Sequence, residues 1–155
     1  MSDHIVELRD VVEADLDIFL DFEHDPEAVR RSRFVPRPRE RFMRHWKERV
    51  LGDPDNLVQT VVVDGEVAGN FCAWTDGDRR FIGYWLGRAY WGRGVGSSAL
   101  GLFLRREAAR PLYADPFKDN TASVRLLEKH GFQRVGTLTH GEGEHILLML
   151  PAGTS

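Results

Sequence analysis

Three alternate glycines, Gly92, Gly94 and Gly96, stand in the stretch Trp91-Gly92-Arg93-Gly94-Val95-Gly96-Ser97-Ser98, between a run of β-forming residues and a helical pattern. Glycine omits the side chains that would cover main-chain N–H groups, and the first-turn amides of a helix, together with its dipole, attract phosphate. Arg93 can add a charge-assisted hydrogen bond. The chemistry on offer is anion binding at the amides from Gly92 to Ser97, although the same glycines would also serve a tight bend that needs positive φ. Two phosphate motifs can be tested on spacing. A P-loop needs Gly-x-x-x-x-Gly-Lys-Ser/Thr, and no lysine lies near, since Ser97 follows Gly96 directly, which disfavours ATP or GTP hydrolysis. A dinucleotide fingerprint needs its third glycine three residues after the second, where Ser97 stands instead. Asp115 lies about twenty residues on, as a ribose-binding acid would. That keeps a dinucleotide-dependent oxidoreductase as a runner-up, but too little chain follows for a second nucleotide-binding half plus a substrate domain.

The elements that position this turn follow from the hydrophobic period. Ile5 to Leu8 is extended, and Leu16, Phe19, Leu20 and Phe22 at helical spacing predict a first helix. Glu27 to Val50 is arginine-rich, with helix pieces flanking a break at Pro36 and Pro38. Val58 to Val63 and Val67 to Trp74 flank Asp64-Gly65, a two-residue hairpin turn, and Phe81 to Leu86 supplies a third antiparallel strand. After the glycine turn come a helix from Gly96 to Ala109 stopped by Pro111, a short strand from Leu112 to Ala114, and a helix from Ala122 to His130. Asp119-Asn120-Thr121 caps that last helix and Gly131 closes it. Gln133 to Leu138 and His145 to Leu150 form a closing pair of strands. The order predicts a mixed α/β (α+β) domain, with a mainly antiparallel central sheet and one right-handed crossover in its middle.

A length of 155 residues fits one domain, residues 1–155. Apolar residues are 42% and charged residues 29%, near globular averages, and the longest apolar runs, such as Ile146 to Leu150, are far short of a bilayer span. The N-terminus lacks a basic stretch and an apolar h-region, and one cysteine, Cys72, cannot form an internal disulfide, so a cytoplasmic protein is expected. The net charge of −3 gives no global field toward nucleic acid. Six histidines invite a metal, but His140 and His145 match no ligand spacing, so a metal-free protein is expected.

With Gly83-Tyr84-Trp85-Leu86 before the turn, and Asn120-x-x-Ser123 followed by Leu127-Glu128-Lys129-His130-Gly131-Phe132 after it, the sequence resembles the GNAT superfamily of N-acetyltransferases. The closest resemblance is to its RimJ/RimL-type branch, which acetylates N-terminal amines. The family turn reads Gln/Arg-x-x-Gly-x-Gly/Ala, and Trp91 replaces its first residue as in that branch. The resemblance implies a GNAT-like sheet with a β-α-β-α core and flanking helices, and acetyl-CoA as cosubstrate with its pyrophosphate on the amides of Gly92 to Ser97. It further implies that Tyr84, Trp85 and Leu86 splay from Leu112 to Ala114, so that pantetheine adds there like a strand. Asn120 and Ser123 would touch the cofactor. Asn120 would equally serve as a plain N-cap. The acceptor would be a primary amine, on a small molecule or a protein N-terminus, and a homodimer is compatible with all of this.

Acyl transfer needs a neutral amine, a stabilised oxyanion and a proton for the thiolate. The N–H of Trp85 or Leu86 would serve the oxyanion. Many GNAT enzymes carry a tyrosine just before the Glu-Lys pair as general acid, and Leu127 occupies that place here. Ser123 is then the candidate acid, with a bond to its own helix backbone as the alternative. Candidates for the base are Glu142, Glu144 or an ordered water. Direct attack without an acyl-enzyme follows from the family and from Cys72 lying in a strand away from the turn. Glu23, Asp25 and Glu27 are expected as ammonium partners, with Phe34, Phe42 and Trp46 as walls. Because the cofactor site is better signalled than the acid and base, a non-catalytic acyl-CoA-binding or sensing module is the main alternative.

Overall fold

The computed structural model describes residues 4–32, 35–140 and 143–153. Strand β1 (Val6–Asp10) leads into helix α1 (Glu13–Glu23), followed by α2 (Pro26–Ser32) and α3 (Arg39–Arg44), which continues into a π-helical turn (His45–Val50). Strands β2 (Leu57–Val63), β3 (Glu66–Asp76) and β4 (Arg79–Leu86) form the expected meander. Its first hairpin turns on Asp64 and Gly65 with φ of 51° and 85°, the pair of positive angles that a right-twisted two-residue loop demands. Helix α4 (Val95–Arg106), strand β5 (Leu112–Ala114), helix α5 (Thr121–Lys129) and strands β6 (Gln133–His140) and β7 (Gly143–Leu150) complete the chain.

Among the described residues seven strands join one sheet in the order β1-β2-β3-β4-β5-β7-β6, and only β4 and β5 run parallel. The dinucleotide-binding alternative loses its scaffold here, because its fingerprint belongs to a mostly parallel sheet. Period-two alternation sends strand residues to two apolar layers. Val61, Phe71, Ile82, Leu112 and Leu148 meet Val95, Leu100 and Phe103 of α4 and Leu127 of α5 in one core, and Leu16, Phe19, Phe42 and Trp46 form a second. Among the described residues no helix is long and apolar enough to cross a membrane.

Two details differ from expectation. Helix α4 ends at Arg106 and not at Ala109, because Glu107 turns extended (φ −93°, ψ 102°). Its buried carboxylate then takes two bonds from Arg80, at 2.8 and 3.1 Å, and the Ala109 N–H at 3.0 Å. Asn120 holds the N-cap position of α5 without a side-chain cap bond; only its carbonyl serves the helix, accepting from Ser123 and Val124.

Asp15 ties β1, α1 and β2 together. Its buried carboxylate accepts two bonds from Arg9 (2.7 and 3.0 Å), the Val12 N–H (3.0 Å) and the Thr60 hydroxyl (2.8 Å). Burial opposes ionisation, but these donors outweigh it and hold the carboxyl below the usual aspartate range. A depressed folded-state pKa contributes stability that is present above the unfolded value of about 3.9 and is lost as pH falls through the folded one. Asp15→Asn is expected to cost about 2 kcal/mol at neutral pH in urea unfolding. The gap to wild type should close as the solution is acidified below about pH 4.

Candidate functional site

The parallel pair β4–β5 is joined only at Arg80↔Leu112 and Phe81↔Tyr113. Past Phe81, β4 stays paired with β3 as far as Leu86↔Gly69, while β5 turns to β7 through Ala114↔Leu148. The two strands therefore part, and Ile82 to Leu86 border an open cleft of about 760 Å³.

The glycine turn closes one end of the cleft. Gly92 and Gly94 have φ of 72° and 78°, and a Cβ added at either would meet nothing within 4 Å. Positive φ is required, as the bend reading holds, and the space over the glycines is open, as the anion reading needs. Ser98 is the first amide of α4 with a helical acceptor, Gly94 O at 3.1 Å, so the N–H groups of Val95, Gly96 and Ser97 have none within the helix. Val95 is buried beneath the turn and anchors it in the core. At Gly96 an added Cβ would lie 3.1 Å from Leu126 and 3.3 Å from Leu86, so a side chain there would have to push both leucine tips aside by a few tenths of an ångström. His130 staples the same two helices, reaching the carbonyls of Leu126 and Ser97 at 3.1 Å each.

Further along the cleft, the Tyr84 hydroxyl lies 2.5 Å from Ser123 Oγ. Ser123 thus pairs across to β4 and not with its own helix backbone. Burial pushes the Tyr84 phenol up to about 12, against the opposing effect of the serine hydrogen bond. Trp85, next on the strand, faces the other layer, where its Nε1–H donates to Phe22 O at 3.1 Å. Trp91 is pinned by Nε1–H to Leu86 O at 3.0 Å.

Of the residues expected at the site, Tyr84, Trp85, Leu86, Trp91, Gly92, Gly94, Gly96, Ser97, Asn120 and Ser123 line this one cleft. Arg93 is exposed and outside its lining, and the Val95 side chain belongs to the core. Glu144 is exposed on β7 and does not line the cleft, and Glu142 lies outside the described residues. The acceptor acids are engaged elsewhere. Glu23 is buried and binds Arg37 through bonds of 2.9 to 3.1 Å. Asp25 caps α2 at the Ala28 N–H (3.0 Å), and Glu27 is paired with Arg30 and Arg31. Phe42 and Trp46 are walls of the second core and not of the cleft, while Phe34 lies outside the described residues.

The structure adds groups that local spacing could not reveal: Trp74, Phe117, Arg31, and His145, whose Nδ1 sits 2.9 Å from Asp115 O. A carbonyl only accepts, so Nδ1 carries the proton and Nε2 the lone pair of a neutral ring. Cys72 is outside the lining, and burial pushes its thiol up to about 12. Among the described residues no group of three His, Cys, Asp or Glu side chains could hold a metal.

Residues 6–133 match the acetyltransferase (GNAT) domain family. The chain is a GNAT-family acetyltransferase. Solved structures share the fold. Aminoglycoside acetyltransferase AAC(6')-Ib, in complex with coenzyme A and kanamycin, superposes with a TM-score of 0.80 at 21% identity, over 97% of this chain and 96% of that one. A domain from Methanocaldococcus jannaschii DSM 2661 gives 0.78 at 17% identity, over 96% and 99%. An uncharacterised protein, bh2621 of Bacillus halodurans, gives 0.79 at 14%, over 96% and 85%. No curated protein sequence matches the chain. The seven-stranded sheet with helices on it is the GNAT fold.

Proposed function

We propose that this GNAT acetyltransferase seats acetyl-CoA in the cleft, with the diphosphate on the amides of Gly92 to Ser97, and that the acetyl group passes directly to a primary amine. The observation that carries this reading is the parting of β4 from β5 after Phe81, with an anion-ready helix N-terminus at one end of the gap. Trp91 and Ser123 support placement in the RimJ/RimL-type branch. A small-molecule acceptor is supported by the fold neighbour solved with kanamycin, and a protein N-terminus by the branch resemblance. A cytoplasmic setting suits the single free thiol.

An alkyl amine has a pKa near 10, so only about one molecule in a thousand is a free nucleophile at neutral pH. Trp74, Ile82 and Phe117 line the cleft with apolar surface, which disfavours the ammonium. His145, whose Nδ1–H bond to Asp115 O makes Nε2 the acceptor nitrogen of its neutral tautomer, is positioned as the base in place of Glu144; Glu142 and an ordered water are the other candidates. The main-chain N–H of Trp85 or Leu86 serves the oxyanion. Tyr84 keeps its proton at neutral pH and shares one hydrogen bond with Ser123 Oγ, in which either hydroxyl can be the donor. With the tyrosine as donor, the serine O–H is the one turned to hydrogen-bond the departing sulfur.

Release of free CoA with a panel of amines and N-terminal peptides tests the reading, alongside intact mass after incubation with acetyl-CoA alone. The expected result is turnover with at least one amine and no acetylated protein, since the Cys72 thiol is protonated and outside the cleft. Tight CoA binding with no amine acetylated would leave an acyl-CoA-binding module instead.

A further inference from the structure

We infer that Arg31, on α2, is a ligand of the coenzyme diphosphate, which makes α2 part of the coenzyme site; this rests on the acetyl-CoA reading above. A diphosphate on backbone amides still leaves charge to be matched. Arg93, the arginine inside the turn, is exposed and outside the cleft lining. Among the described residues Arg31 is the one lysine or arginine that lines the cleft.

Its placement is held by the turn itself. The Arg31 guanidinium carbon lies 4.4 Å from the centroid of the Trp91 ring, a cation–π distance. Trp91 is fixed in turn by its bond to Leu86 O at 3.0 Å, and Gly92 follows it directly. The guanidinium is thus stacked on the residue that opens the anion turn. Its charge is only loosely matched within the protein: Nε reaches Glu27 Oε1 at 3.4 Å, while Glu27 bonds Arg30 more closely. Among the described residues the two terminal nitrogens of Arg31 have no hydrogen-bond acceptor, and its side chain is 47% exposed. A guanidinium held over an indole beside free helix amides offers phosphate oxygens the fork of donors they fit.

Calorimetric or competition binding of CoA, 3′-dephospho-CoA and pantetheine to the wild type, Arg31→Gln and Arg31→Lys tests this, with Trp91→Leu alone and combined with Arg31→Gln. Arg31→Gln is expected to weaken CoA and dephospho-CoA by about tenfold to a hundredfold and leave pantetheine unchanged. Arg31→Lys should recover part of the loss, and the double variant should fall short of the product of the two single effects. The inference is overturned if Arg31→Gln binds CoA like the wild type or loses pantetheine equally. It is also overturned if the loss is confined to CoA and spares dephospho-CoA, which would assign the 3′-phosphate. A wild type that binds pantetheine as tightly as CoA would instead sink the diphosphate seat itself.

Discussion

Gly94→Glu is expected to abolish measurable acetyl-CoA binding while the domain stays folded. Gly94 sits at the N-cap of α4 with φ of 78°, and a Cβ there meets no atom within 4 Å, so the larger side chain has room. The left-handed backbone costs a non-glycine residue about 1–2 kcal/mol, and a carboxylate at a helix N-terminus returns part of that by favouring the dipole. The same carboxylate stands where the free amides of Val95, Gly96 and Ser97 would meet the diphosphate, and repels it. A loss of at least about a hundredfold follows, since several charge-assisted bonds of about 1.5–3 kcal/mol each go together. Gly94→Asn is the control, because asparagine tolerates the left-handed region and adds no charge; its affinity should stay within about tenfold of wild type on the same scale. Titration calorimetry checks both, and so does melting with ligand, which should raise the midpoint of the wild type and of Gly94→Asn but not of Gly94→Glu. Wild-type affinity in Gly94→Glu would remove the diphosphate from this turn.

The second large effect concerns the Tyr84–Ser123 pair. Ser123→Ala and Tyr84→Phe are each expected to lower kcat by about a hundredfold, the usual scale of a lost proton-handling group, with KM for acetyl-CoA nearly unchanged. The 2.5 Å bond joins the two hydroxyls into one unit, so the double variant should be little worse than the poorer single one. Tyr84 titrates at about 12, so neither hydroxyl should put a limb on the pH–rate profile below about pH 10; a limb there belongs to another group. The measurement is steady-state kinetics over pH with both substrates saturating. Multiplicative losses, or a loss confined to KM, would show that the hydroxyls bind the coenzyme without handling its proton.

Much of the scaffold is legible residue by residue. Asp64-Gly65 specifies a two-residue turn because both positions need positive φ, and they have it. The apolar spacing of Ala99, Leu100 and Phe103 is that of one buried helix face, and those residues are buried. The strand at Leu112 to Ala114 emerges where a short apolar run follows Pro111. The glycine turn is readable because φ and the absence of side chains are properties of single residues. The proposed proton handlers are less so: Ser123 and Tyr84 are each visible in their own elements, but their pairing across the cleft is not. The partners of the expected acceptor acids are hidden for the same reason, since Glu23 at the end of α1 gives no hint that Arg37 will fold back on it.

The amino-acid order alone determined a mixed-sheet domain with a glycine turn after its fourth strand, because turn chemistry, helix periodicity and strand alternation act between near neighbours. Tertiary structure decided what faces the cleft. The insertion of β7 between β5 and β6 brings His145 to Asp115, and the packing of α2 brings Arg31 onto Trp91. These pairs join remote segments whose meeting depends on sheet order and on which layer each side chain enters, and no local pattern encodes either.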